Sequence, residues 1–276
     1  MGYFGYYDGK YCKSGEIAIP LTDRAVYFGD GVYDAVLGIN GRFYLLEEHL
    51  RRFFNNVCAI GLSLPYTEGR LRAIIETLAE GAHGTQFLYL QATRGASVRD
   101  HAPKEEGAHL LVTLTEAEPP VTTPLSLIGV EDTRYAMCHV KTLNLLPNVL
   151  AARQARKLGA DEAVFLYRGT VREGARSNLF LLRDGTLYTH PTDEHILPGI
   201  MRSHLVKTAV RLGIPVCEEA FTEGELTDAE GVIVTATTKL ARPADRYNGI
   251  PLRAPSETAQ ALIRAVHHDF LAFFDD

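Results

Sequence analysis

The sequence predicts a mixed α/β chain in two domains, on three observations. Stretches of helical periodicity alternate with short β-branched or aromatic runs bounded by Asp-Gly and Asn-Gly turns. The 276 residues are enough for two modest domains. Residues 116–124, Glu-Ala-Glu-Pro-Pro-Val-Thr-Thr-Pro, are polar, carry three prolines and have no period, which marks a boundary. The expected division is a small N-terminal α/β domain over 1–118, a linker over 119–124 and a larger C-terminal domain over 125–276.

The first forty residues read as strands broken by tight turns, with hairpin signals at Asp8-Gly9 and Asn40-Gly41. Gly29 and Gly31 allow a sharp bend, after which Val32 to Leu37 alternates as a strand does. Glu47 to Ile60 is a helix, because Leu50, Phe53, Phe54, Val57 and Ile60 share a face and Gly61 can end it. Thr67 caps a second helix with Leu71, Ile74, Ile75 and Leu78 inside. Phe87 to Thr93 and His109 to Leu114 are strands, separated by a cationic loop that runs from Arg94 to Pro103. Beyond the linker, strands are expected over 125–130, 162–167 and 231–238, and on both sides of the Asp184-Gly185 turn. Helices are expected over 148–158, after Gly199 and over 256–273.

The charge balance, 28 basic against 34 acidic side chains for a net charge of -6, shows no basic stripe and argues against a nucleic-acid partner. No apolar run is long enough to span a bilayer, and the first ten residues do not read as a targeting segment. The four cysteines are scattered without a Cys-x-x-Cys, which argues against a zinc site and fits free thiols in a reducing cytoplasm.

Lys141 stands apart from the other six lysines. It follows Met-Cys-His-Val and precedes Thr-Leu-Asn-Leu-Leu, whereas most of the others neighbour glycines, charges or turn residues. Apolar surroundings disfavour an ammonium and favour the free amine that attacks carbonyls. The same pattern also fits a lysine whose head reaches water from a strand end. Arg99 and His101 lie in the cationic loop, which reads equally as an anion site or a solvated loop. Tyr33 reads as a cross-strand aromatic, and Glu173 as a carboxylate paired on the surface with Arg172 or Arg176 unless the fold supplies another cation. Arg51 and Arg52 point about 100° apart on their helix, so only one need be solvated. Gly199 opens a helix whose first N–H groups, at Ile200 and Met201, suit a phosphate. Thr235, Thr237 and Thr238 end a strand with three hydroxyls.

Taken together, Lys141 with Leu-Asn-Leu-Leu, Glu173-Gly with Ser177-Asn178-Leu-Phe, Leu197-Pro-Gly-Ile with Arg202, and Thr235 to Thr238 resemble the fold-type IV pyridoxal-phosphate enzymes in order and spacing. Within that family, Phe28-Gly-Asp-Gly-Val-Tyr33, the Arg99-x-His101 pair and Leu187-Tyr-Thr-His-Pro191 most resemble the D-amino-acid aminotransferases. The resemblance implies a two-domain fold whose larger domain has a β-barrel-like core, and a cytoplasmic homodimer with shared active sites. It implies that Lys141 carries pyridoxal 5'-phosphate and moves the substrate's α-proton, and that Glu173 pairs with the pyridine nitrogen. Arg52, the N–H groups of Ile200 and Met201, and Thr237 and Thr238 are implied to hold the phosphate, and Tyr33, Arg99 and His101 the substrate carboxylate. The implied reaction exchanges an amino group between a D-amino acid and a 2-oxo acid such as pyruvate or 2-oxoglutarate, with no metal. Branched-chain aminotransferases and aminodeoxychorismate lyases share the fold, but the arginine–histidine pair disfavours both. A non-catalytic cofactor-binding protein is disfavoured by the presence of both Lys141 and Glu173. Two departures from the family pattern add cations: Ala175-Arg176-Ser177 after the glutamate, and Lys239 with Arg242 after the threonines.

Overall fold

The computed structural model describes residues 4–102 and 107–275, so the first three residues and the Pro103 end of the cationic loop lie outside the described residues. The chain divides into two compact units, one of Met1–Pro119 with Val140–Asn144, the other of Pro120–His139 with Leu145–Asp276. Residues 117–124, between the last strand of one and the first of the other, have no regular structure.

In the first unit, β1 (Gly5–Tyr7) and β2 (Lys10–Cys12) form a hairpin. Both turn residues take positive φ, 42° at Asp8 and 98° at Gly9, as its two-residue loop requires. Asp23 caps α1 (Arg24–Phe28) by accepting from the Ala25 N–H at 2.9 Å, and Gly29, at φ 61°, ends it. The sequence predicts only strand and bend here, because one helical turn is too short to display a period. Then follow β3 (Gly31–Ile39), β4 (Arg42–Phe43), α2 (Leu46–Ala59), α3 (Glu68–Ala79), β5 (Thr85–Thr93) and β6 (His109–Glu116). Among the described residues the sheet order is β2-β1-β6-β5-β3-β4. Val32, Val36, Leu88, Leu90, Leu110 and Val112 form one apolar face, covered by Leu50, Phe53 and Val57 of α2 and Leu71, Ile74, Ile75 and Leu78 of α3. Each such side chain contributes about 1.5–3 kcal/mol by leaving water.

β4 covers only the far end of β3, through Gly38 and Ile39. At the other end residues 140–144 add themselves to its edge. Thr142 bridges Val32, Tyr33 N–H donates to Lys141 C=O at 2.9 Å, and Leu143 N–H donates to Gly31 C=O at 3.1 Å. Val140 joins the apolar cluster. This pairing is why a segment that the sequence division placed in the second domain groups with the first unit.

The second unit comprises β7 (Leu125–Glu131), α4 (Leu146–Lys157), β8 (Glu162–Tyr167), β9 (Thr170–Gly174), β10 (Asn178–Arg183), β11 (Thr186–Thr189), α5 (Ile200–Arg211), β12 (Val216–Cys217), β13 (Gly231–Ala236), β14 (Leu240–Tyr247), β15 (Ile250–Pro251) and α6 (Glu257–Asp275). Its mixed sheet runs β12-β11-β10-β13-β14-β7-β8-β9 among the described residues, with β15 on β14, and curls into a half-barrel. The parallel β7–β8 pair is joined by α4, the crossover that a parallel pair needs. Leu125, Leu127, Val164, Leu179, Leu181, Val232 and Val234 fill one side, while Ala163, Phe165 and Ile128 pack with Ala151 and Ala155 of α4. Burial on both sides explains why β8 reads as a nearly continuous apolar run. Helix α4 starts two residues before the expected Asn148, since Pro147 in a first turn forfeits no hydrogen bond. The strand expected to run to Thr238 stops at Ala236, and residues 237–239 turn the chain into β14.

Candidate active site

The first unit gathers one set of candidate groups around the Gly31–Tyr33 end of β3. Lys141 is half-buried and its Nζ lies 4.3 Å from the centroid of the Tyr33 ring, which stacks on Tyr89. The apolar surroundings expected of Lys141 include this ring, while its charge also reaches buried His49. Asp34, Tyr33's neighbour on the opposite face of β3, is fully buried. It accepts Arg52 Nε and Nη2, each at 2.8 Å, and contacts His49 Nδ1 at 2.7 Å. A carboxylate can only accept, so the Nδ1 of a neutral His49 carries the proton. Burial alone would raise the Asp34 pKa, but the Arg52 charge and its hydrogen bonds, followed by His49, override it and hold it far below the ordinary carboxylate range. The His49 pKa is lowered, first by burial and then by the Arg52 and Lys141 charges, against Asp34. Arg52 is thus a braced, 9%-exposed guanidinium, while Arg51 on the same helix is exposed.

Arg99 and His101 are exposed but not unsupported, although the sequence offers no local partner for their loop. Both lie against Phe28, with the Arg99 guanidinium carbon 5.3 Å and the His101 ring 5.1 Å from its centroid. Buried Arg24 donates to the backbone carbonyls of Asp100 and His101, the latter at 3.1 Å, and its Nε pairs with Asp30 at 2.8 Å. Asp30 also takes Arg94 Nε, at 3.0 Å. These contacts fix the peptide that carries the arginine–histidine pair.

The second unit holds the other set. Glu173, near the end of β9, is 5% exposed, not the surface carboxylate that its sequence neighbours suggest. Its cation is Arg134, whose Nη1 donates to Oε1. Asn178 Nδ2 and the Leu197 N–H donate to Oε2 at 3.1 and 3.0 Å. Arg172 turns instead to Asp132, at 2.9 Å, and Asp132 also binds Arg134. Asn178 donates to Leu197 C=O as well, so one amide ties Glu173 to the segment entering α5.

Gly199 is the N-cap of α5 and offers no side chain to cap it, so the first-turn N–H groups, Ile200 and Met201 included, are not capped from that position. A Cβ at residue 199 would fall 2.1 Å from Asn178 Oδ1, so only glycine lets Asn178 and the helix start meet. Arg202 is 5% exposed and donates through Nη2 to His190 C=O and to Glu218, each at 2.7 Å, while its Nε is buried without a partner. The Thr235 hydroxyl is likewise buried and unpartnered. Thr237 is half-buried and Thr238 exposed, in the turn between β13 and β14.

A family model for amino-transferase class IV matches residues 31–247, and the chain belongs to that family. It is 35% identical over 253 residues to a D-alanine aminotransferase of Staphylococcus aureus (strain N315), covering 90% of each chain. It is 37% identical over 244 residues to a D-alanine aminotransferase of Listeria monocytogenes serotype 4b (strain F2365), covering 85% of this chain and 84% of that one. The crystal structure of a branched-chain aminotransferase from Thermoproteus uzoniensis with norvaline matches with a TM-score of 0.89 at 25% identity, over 97% of this chain and 94% of that one. The chain is accordingly a pyridoxal-phosphate-dependent aminotransferase. The residues present fit that cofactor. A half-buried primary amine, a buried carboxylate with oriented oxygens, an uncapped helix N-terminus and two orphaned buried donors are the groups that an aldehyde, a pyridine nitrogen and a phosphate need.

Sequence reasoning missed Asp34, His49, Arg134 and Arg24. A signal existed for two of them: Asp34 falls between Val32 and Val36 on the buried face of an alternating strand, and His49 lies three residues before Arg52 on one helix face. Arg134 and Arg24 carry no such mark.

Proposed function

We propose that this chain catalyses transamination between D-amino acids of the D-alanine type and 2-oxo acids such as pyruvate or 2-oxoglutarate. The observation that carries the reading is the Arg99–His101 pair, set on Phe28 and anchored by Arg24, a planar guanidinium and an imidazole held ready for a carboxylate. The D-alanine aminotransferase relatives support it. The branched-chain alternative is favoured by structural neighbours and not by the sequence relatives.

The roles follow from the groups. The cofactor supplies an electron sink for the carbanion formed when the substrate loses its α-proton. Lys141 would hold the cofactor through its aldehyde, and its amine is the base that would take the substrate's α-proton and return it. Glu173, oriented by Arg134, Asn178 and the Leu197 N–H, would accept a hydrogen bond from the protonated pyridine nitrogen. Arg52, braced by Asp34, the N–H groups of Ile200 and Met201, and the hydroxyls of Thr237 and Thr238 would hold the phosphate. Tyr33, Arg99 and His101 orient the substrate carboxylate. The active form is a cytoplasmic homodimer in which the trap loop serves the neighbouring subunit. Exposed Val98 on that loop, Val26 and Tyr27 on α1, and Leu146, Val149 and Leu150 on α4 are apolar surface that a second copy covers.

Arg99→Lys tests this directly. It keeps the charge and loses the fork, so the KM for D-alanine should rise about tenfold. Turnover of an amine lacking a carboxylate should not change. An unchanged KM for D-alanine would remove the pair from the carboxylate site.

A further inference from the structure

Lys239 is not a solvent-facing cation. Its Nζ meets Glu162 Oε2 at 2.6 Å, with 12% of the lysine side chain and none of the glutamate's exposed. Glu162 opens β8 and serves a second turn as well, because Ser177 Oγ donates to the same Oε2 at 3.2 Å. The backbone adds a parallel tie, Ala175 N–H to Ala163 C=O at 2.8 Å. The turn after Glu173 is closed by Gly174 N–H to Ser177 C=O at 2.7 Å. It leaves no room at Gly174, where a Cβ would lie 2.1 Å from Ser177 Oγ and 3.3 Å from Glu162 Cγ. One buried carboxylate therefore joins the turn that follows Glu173 to the turn that carries Thr237 and Thr238.

The second of these turns is strained. Leu240, directly after Lys239, holds φ at 54° with its side chain fully buried. A branched residue keeps that conformation only where its surroundings over-determine it. The register Ala236↔Leu240 across the β13–β14 turn constrains it on one side, and the Lys239 ion pair anchors the residue before it. Glu162 Oε1 is buried without a partner, so the pair is retained although it leaves a polar atom unsatisfied.

We propose that Glu162 and Lys239 form a strut that sets the Thr237–Thr238 hydroxyls for the cofactor phosphate, with Lys239 acting as a positioning residue. This inference rests on the proposed phosphate role of those hydroxyls.

The test compares the affinities of cofactor-free protein for pyridoxal phosphate and for pyridoxal, which lacks the phosphate. Wild-type protein should prefer pyridoxal phosphate. In Lys239→Met, and in Glu162→Gln/Lys239→Met, which leaves no unpaired buried charge, that preference should fall about tenfold, the worth of one charge-assisted contact. Pyridoxal affinity should stay unchanged, and borohydride should still fix pyridoxal to Lys141. Ser177→Ala, the mildest cut in the strut, should show the same trend. A double variant or Ser177→Ala that keeps the wild-type preference would overturn the strut. Wild-type protein that takes up neither compound would instead contradict the proposed function.

Discussion

At the residue scale, the two carboxylates that matter most are buried and are held by groups remote in sequence. Glu173 accepts from Arg134, 39 positions away, and Asp34 from Arg52, 18 positions away. Glu173→Gln keeps the shape but removes the charge that would stabilise a protonated pyridine nitrogen. The half-reaction rate should then fall by at least ~10²-fold, the scale of other electrostatic stabilisers, and stopped-flow absorbance would read it. His49 gives a pH signature. Burial, with Arg52 and Lys141, lowers its pKa in the fold, so the unfolded chain binds a proton there near its ordinary pKa of 6.5 that the folded chain refuses. Stability from this group is complete above about pH 6.5 and declines as pH falls below it, by at most about 1.4 kcal/mol per pH unit. Asp34, held far below its ordinary range, adds its loss only below about pH 4. His204 and His267 are also lowered by burial and contribute to the same decline. Chemical denaturation from pH 7 to 5 should show a shallower loss for His49→Gln, which keeps a donor to Asp34.

At the scale of elements, legibility followed period and punctuation. Helices α2, α3, α5 and α6 announced themselves by apolar spacing, and the Gly199 start of α5 by Leu-Pro-Gly. The single-turn α1 did not, nor did the turn at 237–239, because Thr-Ala-Thr-Thr is as good a strand as it is a strand end. The setting of Lys141 was hidden for a different reason. It depends on residues 140–144 pairing with β3, more than a hundred positions earlier, and nothing local encodes a long-range edge. Gly199→Ala tests how much α5 depends on its approach to Asn178. The added methyl must displace Asn178 or the helix start, since the contact distance is 2.1 Å. Cofactor retention in dialysis should drop about tenfold or more, consistent with loss of helix N-terminal phosphate contacts. Unchanged retention would place the phosphate elsewhere.

At the scale of the whole molecule, family and fold agree. The chemistry-bearing motifs were readable because each combines a reactive residue with glycines or hydroxyls at fixed spacing. The supporting shell of Asp34, His49, Arg134 and Arg24 was not, because ion pairs between distant residues leave no periodic trace. Under the proposed roles, handedness would follow from where Arg99 and His101 hold the carboxylate relative to Lys141, and the fold is shared with a branched-chain aminotransferase. The decisive measurement is a single-turnover titration of the cofactor-loaded protein with matched D- and L-amino acids, followed by the loss of the bound cofactor's visible absorbance. Rapid, stoichiometric bleaching by D-alanine and little by L-leucine is the expected result, with the D-alanine response slowed in Arg99→Ala. Faster bleaching by L-leucine than by D-alanine, with the D-alanine response indifferent to Arg99→Ala, would contradict it.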